Sequence, residues 1–313
     1  MIEAPVRVPA GDAGHAGHPR FDRAAWCVLG YNMLVVLWGA FVRATGSGAG
    51  CGDHWPLCNG TVVPRAPSIE TVIEFTHRIT SGVAIVGVAG LCIWAFRLFP
   101  RGHRARLFAA LSVVFLFTEA LLGAGLVLLR YVERDASAGR ALYLSAHLIN
   151  TQILLMMLTL TAWFGAEGAS RRWKSAPRVA LVALPVSVIV SVSGAIAALG
   201  DTLFPATSLA SGFQQEFSSS SSMLLRLRVL HPALAVAAAF FLIAAAVSVR
   251  RAGRLSASRA ASISIALVVL QIVAGVLNVV LLAPVWMQVV HLLIADLLWV
   301  ALLLMTLEAG RAQ

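Results

Sequence analysis

The chain has 313 residues, of which 59% are hydrophobic and 12% are charged, and its mean hydropathy is +0.85. This composition excludes a water-soluble globular protein, so lipid is the solvent for most of the chain. The net charge of +10 does not indicate binding to nucleic acid, because the basic residues cluster in short segments between apolar runs, where they set membrane orientation.

Eight apolar runs follow one another along the chain, and each is long enough to cross the bilayer as a helix. They are predicted at about 24–42, 70–96, 107–129, 141–164, 178–199, 223–249, 260–282 and 286–308. The predicted fold is therefore all-α, a polytopic membrane protein. Residues 1–23 are predicted to be a disordered cytoplasmic tail, because they mix charged residues with Gly and Pro. Residues 166–177 are predicted to link an N-terminal half, 24–165, to a C-terminal half, 178–313.

The basic residues predict the orientation of the helices. Sixteen lie in the tail, in the loops after spans 2, 4 and 6, and after span 8, whereas five lie on the opposite side. Both termini are therefore predicted to be cytoplasmic, in a cell membrane. The loop with Cys51 and Cys58 then faces outward, where disulfides persist. The glycine-rich stretch 46–52 allows the two cysteines to approach, and a disulfide is predicted in preference to two free thiols.

The second half of the chain repeats features of the first. The matching pairs are Gly39 and Gly194, Gly123 and Gly275, His77 and His231, and His147 and His291, at offsets of 155, 152, 154 and 144 residues. Similar offsets along the whole chain indicate two duplicated four-helix bundles.

Four histidines lie inside apolar spans, namely His77, His147, His231 and His291. They occupy spans 2, 4, 6 and 8, roughly 8–12 Å below the outer boundary at 1.5 Å rise per residue. One such histidine would be explained by an interhelical hydrogen bond. Four at one depth indicate paired axial ligands of haem iron, whereas the rival metal, zinc, lacks clustered ligands there beyond Glu74. We expect His77 to pair with His147 and His231 with His291.

The residues before the first histidine of each pair differ between the halves. Glu74 lies one turn before His77, which favours a catalytic base or a stabiliser of positive charge. The alternative for Glu74 is an ion pair with Arg78. In the second half, Arg226 and Arg228 suit haem propionates, and the alternative is interfacial snorkelling. These residues assign the substrate to the N-terminal half and a retained cofactor to the C-terminal half.

Two sequence motifs carry a family resemblance. The run Arg-Ala-Thr-Gly-Ser-Gly at 43–48 continues through Cys51 to Trp-Pro-Leu-Cys at 55–58, and Glu-Phe-Thr-His-Arg follows at 74–78. Together with the eight spans, the repeat and the membrane histidines, they resemble the haem A synthase family over nearly the whole chain.

The resemblance implies that the C8 methyl of haem O is oxidised to a formyl group by successive hydroxylations, which yields haem A for terminal oxidases. It implies haem b as cofactor on His231 and His291, with the substrate haem O on His77 and His147. It further implies a catalytic role for Glu74, and a redox function for the outer cysteine pair. Haem O synthase, a farnesyltransferase, is the implied handover partner.

The sequence departs from the family pattern at two places. Some members carry a second cysteine pair between spans 5 and 6, but residues 200–222 contain no cysteine. Pro232 follows His231 where Arg78 follows His77, which leaves propionate binding in the second pocket to other groups.

Two other functions compete with this interpretation. A dihaem b-type cytochrome that transfers electrons with quinol usually places its haems at two depths, whereas these histidines share one. A transporter is favoured by the repeat, but both halves have the same orientation and the spans lack midplane breaks. The sequence identifies neither the electron acceptor, the oxygen source nor the partner of Glu119, and it leaves a homo-oligomer open.

Overall fold

A computed structural model describes residues 18–166, 173–218, 222–252 and 255–311. Eight of its helices are long and apolar enough to cross a membrane, and a ninth is short. The helices are α1 (Pro19–Ala44), α2 (Ile69–Leu98), α3 (Arg104–Leu128), α4 (Ala138–Ala166), α5 (Arg178–Leu203), α6 (Leu209–Phe217), α7 (Met223–Arg251), α8 (Leu255–Val280) and α9 (Val285–Ala309). The predicted all-α architecture with eight spans is confirmed for this part of the chain, which is a multi-pass membrane protein.

The first helix begins at Pro19, so residues 19–23 are helical and their assignment to a disordered tail was wrong. Proline is favoured in the first helical turn, where Asp22 adds a negative charge that suits the helix dipole. Phe21 is fully buried, and its ring centroid lies 5.0 Å from that of Phe99 at the end of α2. Residues 1–17 of the predicted tail and 167–172 of the predicted linker, with Arg7, Arg171 and Arg172, lie outside the described residues, as does Arg254.

The helices of each half pack around one another. In the first half α1 contacts α2 and α4, and α3 contacts the same two helices. In the second half α7 contacts α5 and α8, and α9 contacts the same two helices. Two rings of four helices result, while the origin of the rings by duplication stays a prediction.

The two halves meet along α1, α4, α5 and α9. The most buried spans are α4 and α9, which lie at the centre of the molecule. Trp299 of α9 donates its indole N–H to the carbonyl oxygen of Gln152 in α4 at 2.9 Å. Trp299 also belongs to the largest apolar cluster, most of which comes from the first four helices. Residues of α9 therefore pack into the core of the N-terminal half.

The loops before α2, α4, α7 and α9 lie at one end of the bundle, which we call the disulfide end. A disulfide joins Cys51 and Cys58 in the loop before α2, and this prediction is confirmed. Asp53 of that loop pairs with Arg130 at the end of α3, with 2.6 Å between the charged atoms. The short helix α6 also lies here, capped by reciprocal hydrogen bonds of Ser208 and Ser211.

Candidate functional site

The four intramembrane histidines all lie near the disulfide end. His77 and His231 come eight residues after the first residue of their helices, His147 nine and His291 six. At 1.5 Å per residue these positions are about 9–14 Å along the helices. All four rings are half-buried.

In the C-terminal half the structure brings the expected pair together. The ring centroids of His231 and His291 lie 6.5 Å apart, and the ring planes are nearly perpendicular, at 85°. Nδ1 of His231 lies 2.9 Å from the hydroxyl of Ser193 in α5. That contact orients the ring and leaves its Nε2 available to another ligand. Nδ1 of His291 is buried without a hydrogen-bond partner among the described residues.

In the N-terminal half His77 lies on α2 and His147 on α4, and both helices pack against α1 and α3. Nδ1 of His77 is buried and has no hydrogen-bond partner in the described part of the chain. An unsatisfied buried nitrogen costs free energy unless another group binds it. Each half therefore contains two half-buried imidazoles, and in the C-terminal half the two rings lie next to each other.

Each ring also faces a glycine of a neighbouring helix. A Cβ atom added at Gly39 or Gly194 would lie 3.0 Å from Cε1 of His77 or His231 respectively. A Cβ atom added at Gly275 would lie 3.3 Å from Cε1 of His291, and one at Gly123 would lie 3.9 Å from Nε2 of His147. The four glycines are the ones that mark the sequence repeat, so the repeat positions are the ones in contact with the histidines.

The sequence alone did not identify the partner of Glu119, which is His147. Oε1 of Glu119 lies 3.2 Å from Nδ1 of His147. Asn150 donates its amide to Oε2 of the same carboxylate at 2.6 Å, and the hydroxyl of Thr151 donates to Oε1. The signal in the sequence was the position of Glu119, one helical turn before Gly123 on the face that meets His147.

Glu74 lies beneath the disulfide loop and makes the ion pair with Arg78 that the sequence left as its alternative. Its side chain is 5% exposed, and its Oε1 accepts hydrogen bonds from Nε and Nη2 of Arg78 at 3.1 and 2.5 Å. Its Oε2 accepts the backbone N–H of Cys51 at 2.8 Å. Among the described hydrogen bonds, none joins Glu74 to His77. Arg78 also donates to the carbonyl oxygens of His54 and Leu57, so the pair holds the disulfide loop on α2.

Arg228, expected to bind a propionate, binds two carboxylates of the chain. Its Nε donates to Oε1 of Glu216 in α6 at 2.7 Å, and its Nη1 donates to Oδ1 of Asp201 at the end of α5 at 3.0 Å. The guanidinium therefore joins α6 and α5 to the first turns of α7. These two ion pairs explain the position of Arg228 better than interfacial snorkelling does. Arg226 is exposed, two residues earlier on the same helix.

Comparison with known proteins places this arrangement in a family. Residues 22–303 match the COX15-CtaA family, described as cytochrome oxidase assembly protein. The chain belongs to this family. The match reaches all eight long helices and includes the four membrane histidines. Relatives named heme A synthase also match, so the family resemblance predicted from the motifs is confirmed.

The similar curated proteins differ in how much of the chain they cover. A Thermus thermophilus protein named protoheme IX farnesyltransferase is 45% identical over 289 residues, 91% of this chain but 48% of its own length. Heme A synthase of Exiguobacterium is 36% identical over 128 residues, 41% of each chain, and that of Bacillus cereus is 48% identical over 95 residues, 30% of each. The chain thus spans about half the length of the Thermus relative.

Proposed function

We propose that this family member is a haem A synthase, which oxidises the C8 methyl of haem O to a formyl group by successive hydroxylations. The observation that carries the proposal is the 6.5 Å between the ring centroids of His231 and His291. Two imidazole nitrogens at about 2 Å on either side of one metal ion put the ring centroids roughly 6 Å apart. The C-terminal pair therefore fits the two axial ligands of one haem.

In the proposal His231 and His291 hold haem b in the C-terminal half. Ser193 orients His231, and Nδ1 of His291, which has no hydrogen-bond partner among the described residues, supports a role for this ring as a ligand. Gly194 and Gly275 let the neighbouring helices approach the rings closely. When bound, haem b supplies one-electron transfer.

The N-terminal half binds the substrate, with His77 and His147 as the ligands of the haem O iron. Glu74 is the proposed catalytic residue, and the Cys51 amide together with Arg78 fixes the position of its carboxylate. A carboxylate fixed one turn from His77 stabilises positive charge that develops beside that pocket. The Cys51–Cys58 disulfide is the proposed redox element, because it can be reduced to two thiols, and the Cys51 amide places it beside this carboxylate.

The propionates of haem b have two proposed partners. Arg226 is exposed at the start of α7. Arg228 would have to exchange one of its two carboxylates, Asp201 or Glu216, for a propionate. The disulfide end and both pockets are proposed to face the outside of the cell membrane, with both termini in the cytoplasm.

Haem O synthase is the proposed source of the substrate. The Thermus relative named protoheme IX farnesyltransferase is about twice as long as the part that matches this chain. We assign the farnesyl transfer in its name to the part outside the match, because relatives named heme A synthase match within this chain. The name of that relative nevertheless makes farnesyl transfer the second candidate function. A dihaem b-type cytochrome that exchanges electrons with quinol is the third.

Co-expression decides between these functions. The chain is produced in a host that makes haem O but not haem A, and the extracted haems are separated by chromatography. We expect haem A or its alcohol precursor with the wild type and none with His77→Ala, whereas Lys174→Ala, at an exposed residue outside the proposed pockets, keeps the activity. Unchanged haem O, with the protein folded and loaded with haem, would refute the synthase assignment. Farnesylation of haem in a host without a farnesyltransferase would establish the second candidate instead.

Optical spectra of the purified protein test the ligand pairs independently of activity. We expect His231→Ala to lose the haem b signal and His77→Ala to lose the N-terminal haem, each with the other site retained. Unchanged haem content in both variants would exclude the pairing.

A further inference from the structure

The two halves treat the second histidine of each pair differently. In the N-terminal half the carboxylate of Glu119 lies 3.2 Å from Nδ1 of His147. Its side chain is only 16% exposed, and two side chains, Asn150 and Thr151, donate hydrogen bonds to it. A carboxylate with two donors is fixed in position. It lies beside Nδ1 of His147 at ion-pair distance, and that nitrogen has no hydrogen-bond partner among the described residues.

In the C-terminal half a neutral amide takes the place of this carboxylate. Gln271 lies 152 residues after Glu119, which is the offset between Gly123 and Gly275 on the same two helices. Nε2 of Gln271 lies 3.1 Å from Nε2 of His291. Glutamate and glutamine have nearly the same shape but differ in charge, and they meet different ring nitrogens, Nδ1 of His147 and Nε2 of His291.

The residues that donate hydrogen bonds to Glu119 are also replaced by apolar residues in the C-terminal half. At the offset of 144 that relates His147 to His291, Asn150 corresponds to Ile294 and Thr151 to Ala295. Ile294 is buried and belongs to an apolar cluster. The polar network around Glu119 therefore has no counterpart in the described C-terminal half, where apolar side chains stand at the same positions.

A carboxylate beside one nitrogen of a metal-bound imidazole makes the other nitrogen a stronger electron donor. Stronger donation stabilises ferric over ferrous iron and lowers the reduction potential, whereas a neutral amide has a smaller effect. Of the four histidines, His147 alone has a carboxylate at ion-pair distance in the described structure. Among the described ion pairs, none joins a carboxylate to His231 or His291.

We propose that Glu119 is a positioning residue that orients His147 and sets the reduction potential of the N-terminal haem below that of the C-terminal haem. The inference rests on the proposed function, because it requires haem on both histidine pairs. Its consequence is a direction for electron transfer. With haem bound at both histidine pairs, electrons would pass from the N-terminal half to the C-terminal half, toward the higher potential.

Reciprocal substitutions test the proposal. Glu119→Gln gives the N-terminal site the amide of the C-terminal site, and Gln271→Glu does the reverse. The readout is the midpoint potential of each haem in spectroelectrochemical titration of the purified, haem-loaded protein. His231→Ala and His77→Ala backgrounds assign each potential to one site. We expect Glu119→Gln to raise the midpoint potential of the N-terminal haem by at least about 59 mV. This shift is a tenfold change in the equilibrium constant for a one-electron reduction. Gln271→Glu should lower the C-terminal potential.

The inference would be overturned if, in both variants with haem retained, the equilibrium constant for reduction changed by less than threefold. The proposed function would still stand. A C-terminal potential below the N-terminal one in the wild type would likewise overturn the inference. If Glu119→Gln loses its N-terminal haem, Gln271→Glu alone tests the inference. A lowered potential of the C-terminal haem would support the inference, and an unchanged one would contradict it. Absence of haem from the wild-type protein would refute the proposed function itself, and the inference with it.

Discussion

Arg43 at the end of α1 donates through Nη1 to the carbonyl oxygen of Ala198 in α5, at 2.8 Å. The two residues are 155 apart, which is the offset between Gly39 and Gly194 in the predicted repeat. Arg43 therefore touches its own counterpart in the other half. The same guanidinium donates to Thr202 at 3.0 Å and to Gln288 at the start of α9 at 3.1 Å. One side chain thus joins three helices at the disulfide end.

Arg43→Gln should weaken the junction between the halves. Hydrogen bonds from a charged donor contribute about 1.5–3 kcal/mol each, and the glutamine cannot replace all three. We expect a loss of about 2–3 kcal/mol in the free energy of unfolding, measured by thermal denaturation in detergent. Arg130→Gln is the control, because its ion pair with Asp53 is largely exposed and contributes less than about 1 kcal/mol. Equal effects of the two variants would contradict the prediction.

Arg78→Ala should lower the free energy of unfolding more than the double variant Arg78→Ala with Glu74→Gln does. The single variant leaves a buried carboxylate without its cation, a change that costs about 3 kcal/mol or more. Glu74→Gln in the same chain removes that charge, so part of the stability returns. A thermal-denaturation cycle over the four proteins measures the difference. Additive effects of the two substitutions would mean that the ion pair does not hold the disulfide loop.

Gly39→Ala should disturb the N-terminal pocket. The new methyl group would lie 3.0 Å from Cε1 of His77, so the ring must move. We expect a reduced haem content and a shifted absorption band in the purified variant. Gly30→Ala in the same helix is the matched control, since a Cβ there meets nothing within 4 Å, and it should bind haem like the wild type. Loss of haem in both variants would point to the helix rather than to the contact.

Replacing both loop cysteines by serine should destabilise the disulfide end. Closing a loop of this length by a disulfide contributes about 2 kcal/mol through the unfolded state. We expect a similar loss on thermal denaturation, together with faster proteolysis between residues 45 and 68. The control replaces Cys27 and Cys92, which are free thiols, and should change neither property. A wild-type melting curve that a reducing agent leaves unchanged would argue against the prediction.

The helices were predictable because hydrophobic length alone determines them, and the predicted spans agree with the structure to within a few residues. The start of α1 at Pro19 was missed, because burial of Phe21 against α2 is a tertiary contact that a polar segment does not reveal. The short helix α6 was also missed. It is nine residues long, and its structure depends on caps and on the ion pair between Glu216 and Arg228.

The histidines of the site were predictable from their repeat positions, but their hydrogen-bond partners were not. Depth along a helix follows from residue counting, whereas the rotation of neighbouring helices decides which side chains meet. The contact between Glu119 and His147 depends on how α3 packs against α4. The expected propionate role of Arg228 neglected Asp201, because a charge at the end of one span gives no sign of which span lies beside it.

The central position of α4 and α9 has a mechanical consequence. Each of these helices carries one histidine of a pair, His147 or His291, and they touch each other through Trp299 and Gln152. Sliding or tilting of one helix against the other would displace a ring in both halves. The two pockets are therefore mechanically coupled through the contact between α4 and α9. Substitutions in that contact would alter both sites together, although the substituted residues lie in neither site.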